Sequence, residues 1–152
     1  MQETTKIRSK AMDLLGRREH TTQELRIKLL KKDYDPSLIE DVLHALQQER
    51  LLSDTRFVEE YINYRRNKGF GPLRIQAELN ARGVKQDLIE EHLNMSDNAW
   101  FAVAREAWRK RFKHGIPEDM KERAKQMRFL QTRGFMAQQI HLIFHSDFEH
   151  DA

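Results

Sequence analysis

Residues 66–75 read Arg66-Asn67-Lys68-Gly69-Phe70-Gly71-Pro72-Leu73-Arg74-Ile75. Two glycines and a proline interrupt the chain, and apolar residues at helical spacing flank them, Phe57 and Tyr61 before, Ile75 and Leu79 after. A phosphate-binding loop would need a preceding strand and a Lys-Ser/Thr pair after its last glycine. Neither is present. The stretch therefore reads as a corner between two helices. Gly69 closes the first, Phe70 plugs a core, and Gly71-Pro72 opens the second, with proline at a position whose N–H would be unpaired anyway.

The same punctuation recurs along the chain. Pro36 follows Asp35, and Pro117 precedes Glu118-Asp119, acids that suit the positive end of a helix dipole. Thr21-Thr22-Gln23-Glu24 fits a capping box, with Thr21 as cap and Glu24 reaching back. Alternating strand patterns are missing. The spacing predicts helices near 4–18, 22–32, 36–49, 54–68, 72–82, 86–94, 97–113, 117–133 and 137–146, an all-α chain.

Sliding the sequence by fifty residues lays this pattern on itself. Leu25, Leu29, Asp33, Tyr34, Ile39 and Leu43 fall on Ile75, Leu79, Gly83, Val84, Ile89 and Leu93. A further shift of fifty-one carries Leu79, Arg82, Gly83, Val84, Ile89 and Leu93 to Leu130, Arg133, Gly134, Phe135, Ile140 and Phe144. The position shared by Asp33, Gly83 and Gly134 lies just past a helix, where a left-handed residue closes the turn and Gly or Asp is tolerated best. These shifts predict three tandem three-helix repeat modules, over 1–50, 51–95 and 96–152. Units this small bury too little surface alone, so they are expected to stack into an elongated, curved array.

Composition narrows the function. The chain has 152 residues, 39% hydrophobic and 34% charged, and no cysteine, which excludes thiol catalysis, disulfides and thiolate metal sites. The N-terminal MQETTKIRSK lacks an apolar targeting core, and no apolar run reaches membrane-spanning length. A soluble, cytoplasmic protein with no membrane contact is expected. His141 and His145 stand one helical turn apart, with Asp147 and His150 nearby, yet no HExxH accompanies them and no metal is expected. Glu59-Glu60 and Glu90-Glu91 diverge as neighbours on a helix and make poor acid–base pairs. Trp100 and Trp108 share a helix face and read as core. No catalytic residues, no cofactor and no enzymatic activity are predicted.

Charge is the informative remainder. The net charge is only +3, but residues 61–85 carry six Lys/Arg against one Glu, and residues 105–133 carry ten against four acids. Segregation of this kind suits a polyanion or an acidic protein groove. Arg65, Arg66 and Lys68 end one helix, Arg74 begins the next, and Arg82 and Lys85 follow at its far end. Basic residues at a helix C-terminus help the dipole, whereas Arg74 at an N-terminus works against it and points to a partner. Arg109, Lys110, Arg111, Lys121 and Arg128 form the second candidate block. The helix–turn–helix look of 57–82, with Gln76 and Asn80 available, leaves a DNA-binding transcription regulator as the alternative.

The segment Leu52-Ser53-Asp54-Thr55-Arg56-Phe57-Val58-Glu59-Glu60-Tyr61, then Arg65, then Lys68-Gly69-Phe70-Gly71-Pro72-Leu73-Arg74-Ile75 and Glu78-Leu79, resembles the central signature of the RecX family, bacterial regulators of the RecA recombinase. Thr22–Leu29 resembles the family's first-module motif and Phe129–Phe135 its third. Ser53 stands where an acid is common and Val58 where alanine is common. The resemblance implies tandem three-helix repeats. It also implies binding to RecA–single-stranded DNA filaments in the helical groove, with inhibition of filament growth, strand exchange, ATP hydrolysis and the co-protease role in the SOS response. Weak, sequence-independent affinity for single- and double-stranded DNA, and a monomeric state, accompany that expectation.

Overall fold

The computed structural model describes residues 2–145, and Asp147 and His150 lie outside them. The described residues form nine α-helices and no strand: α1 (Gln2–Arg17), α2 (Thr22–Leu30), α3 (Pro36–Gln48), α4 (Asp54–Asn67), α5 (Pro72–Ala81), α6 (Gln86–His92), α7 (Ala99–Arg111), α8 (Met120–Arg133) and α9 (Ala137–His145). None of them is long and apolar enough to cross a membrane.

Local chemistry sets most boundaries. Thr21 caps α2 by accepting from the Glu24 amide, and the Glu24 carboxylate accepts from the Thr21 amide at 3.0 Å, the reciprocal box that satisfies two orphan donors. Asp35 accepts from the Ser37 amide at 2.9 Å, with Pro36 opening α3. Pro72 likewise opens α5. Pro117 does not open α8, contrary to the sequence expectation. Asp119 is the cap, accepting from the Lys121 amide at 3.3 Å, and the Pro117 carbonyl accepts from Arg123 instead. A competent capping carboxylate two residues on displaces the helix start, because proline can pre-set φ but has no side-chain acceptor for the first amides.

The left-handed positions are where the repeat puts them. Asp33, Gly83 and Gly134 have φ of 61°, 83° and 98°. Arg50, also at φ 62°, was not anticipated; it closes α3 while the Leu51 amide reaches back to the Leu46 carbonyl at 2.9 Å.

Packing groups the residues into two compact units, Met1–Glu60 with Leu79–Ile89, and Tyr61–Glu78 with Glu90–Ala152. In the first, α1, α2 and α3 pack on one another around Ile7, Ala11, Leu25, Leu29, Ile39 and Leu46, all fully buried. In the second, α7, α8 and α9 pack around Trp100, Ala104, Leu130, Phe135, Ile143 and Phe144. The Trp108 ring meets Phe144 edge to face at 6.3 Å. Continuing the fifty-residue register from Leu25 and Ile75 by fifty-one leads to Gln126, which is buried all the same. Its amide oxygen accepts the Trp108 indole N–H at 2.7 Å, so the polar atom fills an apolar position because a buried indole needs an acceptor.

Each unit contains the same junction between corners. In the first, the Thr21 hydroxyl, at the turn before α2, donates to the carbonyl of Arg82 after α5 at 2.6 Å. In the second, the Gly71 amide, at the turn before α5, donates to the carbonyl of Arg133 at the end of α8 at 2.8 Å, and the Leu73 amide donates to the Gly134 carbonyl at 2.9 Å.

Candidate functional site

The corner at 66–75 carries a cluster of arginines around one phenyl ring. Phe70 is only half buried and does not plug the core as expected from sequence. The guanidinium carbons of Arg65, Arg74 and Arg133 lie 3.8, 4.5 and 4.6 Å from its ring centre. Three cations on one ring repel one another, yet each also gains from the negative face of the π system. Glu78, on α5, offsets part of that repulsion. It accepts two hydrogen bonds from Arg65 (2.9 and 2.8 Å), one from the Tyr61 hydroxyl (2.8 Å) and one from Arg74 (3.2 Å). Burial alone would raise the Glu78 pKa, but the bonds from Arg65, Tyr61 and Arg74 together outweigh it and hold the carboxyl below its usual range.

Arg74 therefore has an intramolecular reason for standing at a helix N-terminus. It stacks on Phe70, pairs with Glu78 one turn on, and donates to the Thr132 carbonyl at 3.2 Å. Arg65 is held more firmly still, its side chain 17% exposed in a forked pair with Glu78.

Arg133 was not among the predicted binding residues, although the repeat register pointed to it through its equivalence with Arg82. It lies over both Phe70 and Phe129, and its Nη1 donates to the Lys68 carbonyl at 3.2 Å. Burial, then the charges of Arg74 and Arg65, lower its pKa. Among the described residues no carboxylate is paired with it.

The other predicted cations are distributed as follows. Arg66 bonds to Asn63 and lies 5.8 Å from the Trp100 ring, and Lys68 stands 5.2 Å from the exposed Tyr64 ring. Arg109 and Lys110 share Glu106 at 3.6 and 4.0 Å, both highly exposed. Arg111 packs over Phe112 and Phe129, at 5.2 and 5.9 Å. Lys121 and Arg128 are exposed on α8. Arg82 and Lys85 belong to the first unit, where Arg82 stands 3.8 Å from Glu24 and Lys85 is exposed. His141 and His145 stack at 4.4 Å between ring centres, and among the described residues no group of three metal-ligating side chains forms.

Comparison with known proteins gives these features a family. Residues 8–46, 53–93 and 98–143 match the first, second and third three-helix domains of RecX. This chain belongs to the RecX family. It is 43% identical over 134 residues to the regulatory protein RecX of Halorhodospira halophila, covering 88% of this chain and 83% of that protein. Against the regulatory protein RecX of Pseudomonas fluorescens the identity is 42%, covering 88% and 86%. The crystal structure of RecX from Lactobacillus salivarius superposes with a TM-score of 0.77 at 21% identity, over 93% of this chain and 94% of that one. That last likeness is one of fold. The RecX domain limits place the Phe70 cluster across two domains of the family, Phe70, Arg65 and Arg74 in the second and Arg133 in the third.

Proposed function

We propose that this chain is a regulatory protein that binds RecA–single-stranded DNA filaments and inhibits the recombinase, ATPase and co-protease activities of RecA by blocking filament growth. The observation that carries the reading is the match of all three RecX domains, spanning 8–143, together with relatives named regulatory protein RecX. The protein acts in the cytoplasm as a monomer, without catalytic residue or cofactor. Its contact residues are the cations at Arg66, Lys68, Arg82, Lys85, Arg109, Lys110, Arg111, Lys121 and Arg128, with Arg65 and Arg74 shaping the corner that carries Arg66 and Lys68. A filament offers both acidic protein surface and phosphate, and contacts spread over several modules add through effective concentration. Bare single- or double-stranded DNA binds weakly and without sequence preference.

A groove-reading transcription regulator fits less well. Such a protein presents the N-terminal residues of its second helix to base edges. Here the N-terminal turn of α5 is engaged, with Leu73 donating to Gly134 and Arg74 donating to Thr132.

The test is a titration of the protein into RecA assembled on single-stranded DNA, read by DNA-dependent ATP hydrolysis. Inhibition at fewer than one molecule per RecA subunit, deepest while filaments grow and not relieved by added bare strand, is expected. One-for-one stoichiometry with full rescue by free DNA would favour simple competition for the strand and overturn the reading.

A further inference from the structure

The corners before α2 and α5 fall on one another in the fifty-residue register, and an aromatic ring stands in each. In the second corner it is Phe70, followed by Gly71; in the first it is His20, followed by Thr21. The neighbours are exchanged in sign. Lys28 stands in the place of Glu78, and Glu24 in the place of Arg74. A phenyl ring offers cations the same face at every pH. An imidazole does not, because its charge changes near neutrality.

His20 is 1% exposed. Its Nδ1 lies 3.0 Å from the Arg18 carbonyl and its Nε2 3.0 Å from the Lys28 ammonium. An ammonium can only donate, so Nε2 accepts and the ring is neutral. A second proton would set donor against donor, and two positive charges in contact at a buried site. The other groups at this corner give little relief. Arg18 in the preceding turn and Arg82 after α5 are themselves cations. Glu24 on α2 accepts from the Thr21 amide and is shared by Arg18 at 3.2 Å and Arg82 at 3.8 Å. Asp54 on α4 accepts from the Thr22 amide and hydroxyl at 2.7 and 3.1 Å, and Glu19 is paired with Arg56 of α4. From α3 comes Gln47, uncharged, which donates to the Thr22 hydroxyl at 3.0 Å. Burial, with the charges of Arg18 and Lys28, disfavours the protonated ring.

The ring can take up a proton only by giving up this place, and Thr21 is the next residue. Its hydroxyl makes the 2.6 Å bond to the Arg82 carbonyl that ties the first RecX domain to the second. We infer that His20 is a proton-operated latch on this joint: neutral, it holds Thr21 against Arg82, and protonated, it releases that contact. The joint between the second and third domains is built on Phe70 and the Gly71 amide, and its ring cannot titrate. One protein thus carries an acid-sensitive joint and an insensitive one of the same design, whatever its action on RecA.

The experiment follows the full ¹⁵N-labelled chain by NMR from about pH 8 to about pH 5. The His20 ring should titrate below about pH 6.5. The Thr21, Glu24 and Gly83 amides should shift with the ring, while Gly71, Leu73 and Phe135 do not follow it. Protection of the Thr21 and Glu24 amides against exchange, corrected for the intrinsic effect of pH, should fall as the latch opens. The fall should reach up to about tenfold per pH unit between about pH 6.5 and the ring's own midpoint. Lys28→Gln should raise that midpoint, and His20→Gln, which keeps an oxygen for Lys28, should abolish the response. A ring midpoint at or above about 6.5, first-joint amides that ignore the ring, an undiminished response in His20→Gln, or loss of both joints together would each overturn the proposal.

Discussion

The Gly71 amide donates to the Arg133 carbonyl at 2.8 Å, sixty-two residues further along the chain. The approach is so close that a Cβ on Gly71 would stand 2.6 Å from the Gly134 carbonyl oxygen and from the Phe135 nitrogen. Those are backbone atoms and cannot swing aside. Gly71→Ala should therefore destabilise the protein by about 1–3 kcal/mol through overpacking. Gly16, near the end of α1, has nothing within 4 Å of its would-be Cβ. Gly16→Ala should be neutral or stabilise by up to about 1 kcal/mol. Urea denaturation of the two variants checks the contrast, and equal effects would dissolve it.

The left-handed residues make a graded series. Gly83→Val combines strain at φ 83° with a clash against Gln23 and should cost more than about 1 kcal/mol. Arg50 sits at φ 62° with no glycine, so Arg50→Gly should stabilise by about 1 kcal/mol or less. Asp33→Gly should gain less than Arg50→Gly, because aspartate tolerates the conformation better. Melting temperatures ordered otherwise would contradict the strain argument.

His20 predicts a pH dependence. Its Nε2 lies 3.0 Å from the Lys28 ammonium, which can only donate, so the ring must accept there and carry its proton on Nδ1, donated to the Arg18 carbonyl at 3.0 Å. Burial first, then the charges of Arg18 and Lys28, hold its pKa below the usual histidine value. The unfolded chain thus binds this proton more readily than the folded one. The neutral ring's contribution is fully present above about pH 6.5 and is lost as pH falls through the lower folded value. Urea midpoints should drop between neutral and mildly acidic pH in wild type, and the drop should be smaller in His20→Gln.

Arg65 and the α8 cations should separate folding from binding. Arg65→Ala leaves Glu78 without its forked partner and should cost about 1.5–3 kcal/mol of stability. Lys121→Glu with Arg128→Glu should leave stability within about 0.5 kcal/mol, since both residues are exposed, yet weaken filament binding in a salt-sensitive way. Calorimetry of the variants alongside a RecA filament pull-down reads both effects.

Features governed by neighbours in sequence were legible before the structure. The Thr21–Glu24 box spans one turn, and the left-handed triad at Asp33, Gly83 and Gly134 shows in the repeat because each closes its own helix. Most of what was missed depends on distant partners. Phe70 looked like a core residue because nothing local reveals that Arg133 will lie over it. Arg74 looked unexplained because the dipole argument left out Glu78 one turn on in the same helix, a local pair, and the Thr132 carbonyl, a distant one. Gln126 is polar at an apolar position of the register, and its burial follows from Trp108, whose indole needs an acceptor within reach.

The two corner junctions are directional. In each, a turn that precedes a module's second helix meets a turn that follows the second helix of the next, so the two contacting surfaces differ. A join between unlike faces does not close on itself as a two-fold contact does, and it can be made again. Thr21 makes it through a side-chain hydroxyl and Gly71 through a backbone amide, yet both reach an arginine carbonyl just before a left-handed glycine. Each join uses one donor and one carbonyl, and at Gly71 it also requires the absence of a Cβ. The same kind of join can therefore be repeated by in-frame duplication of one repeat, without inventing a new contact.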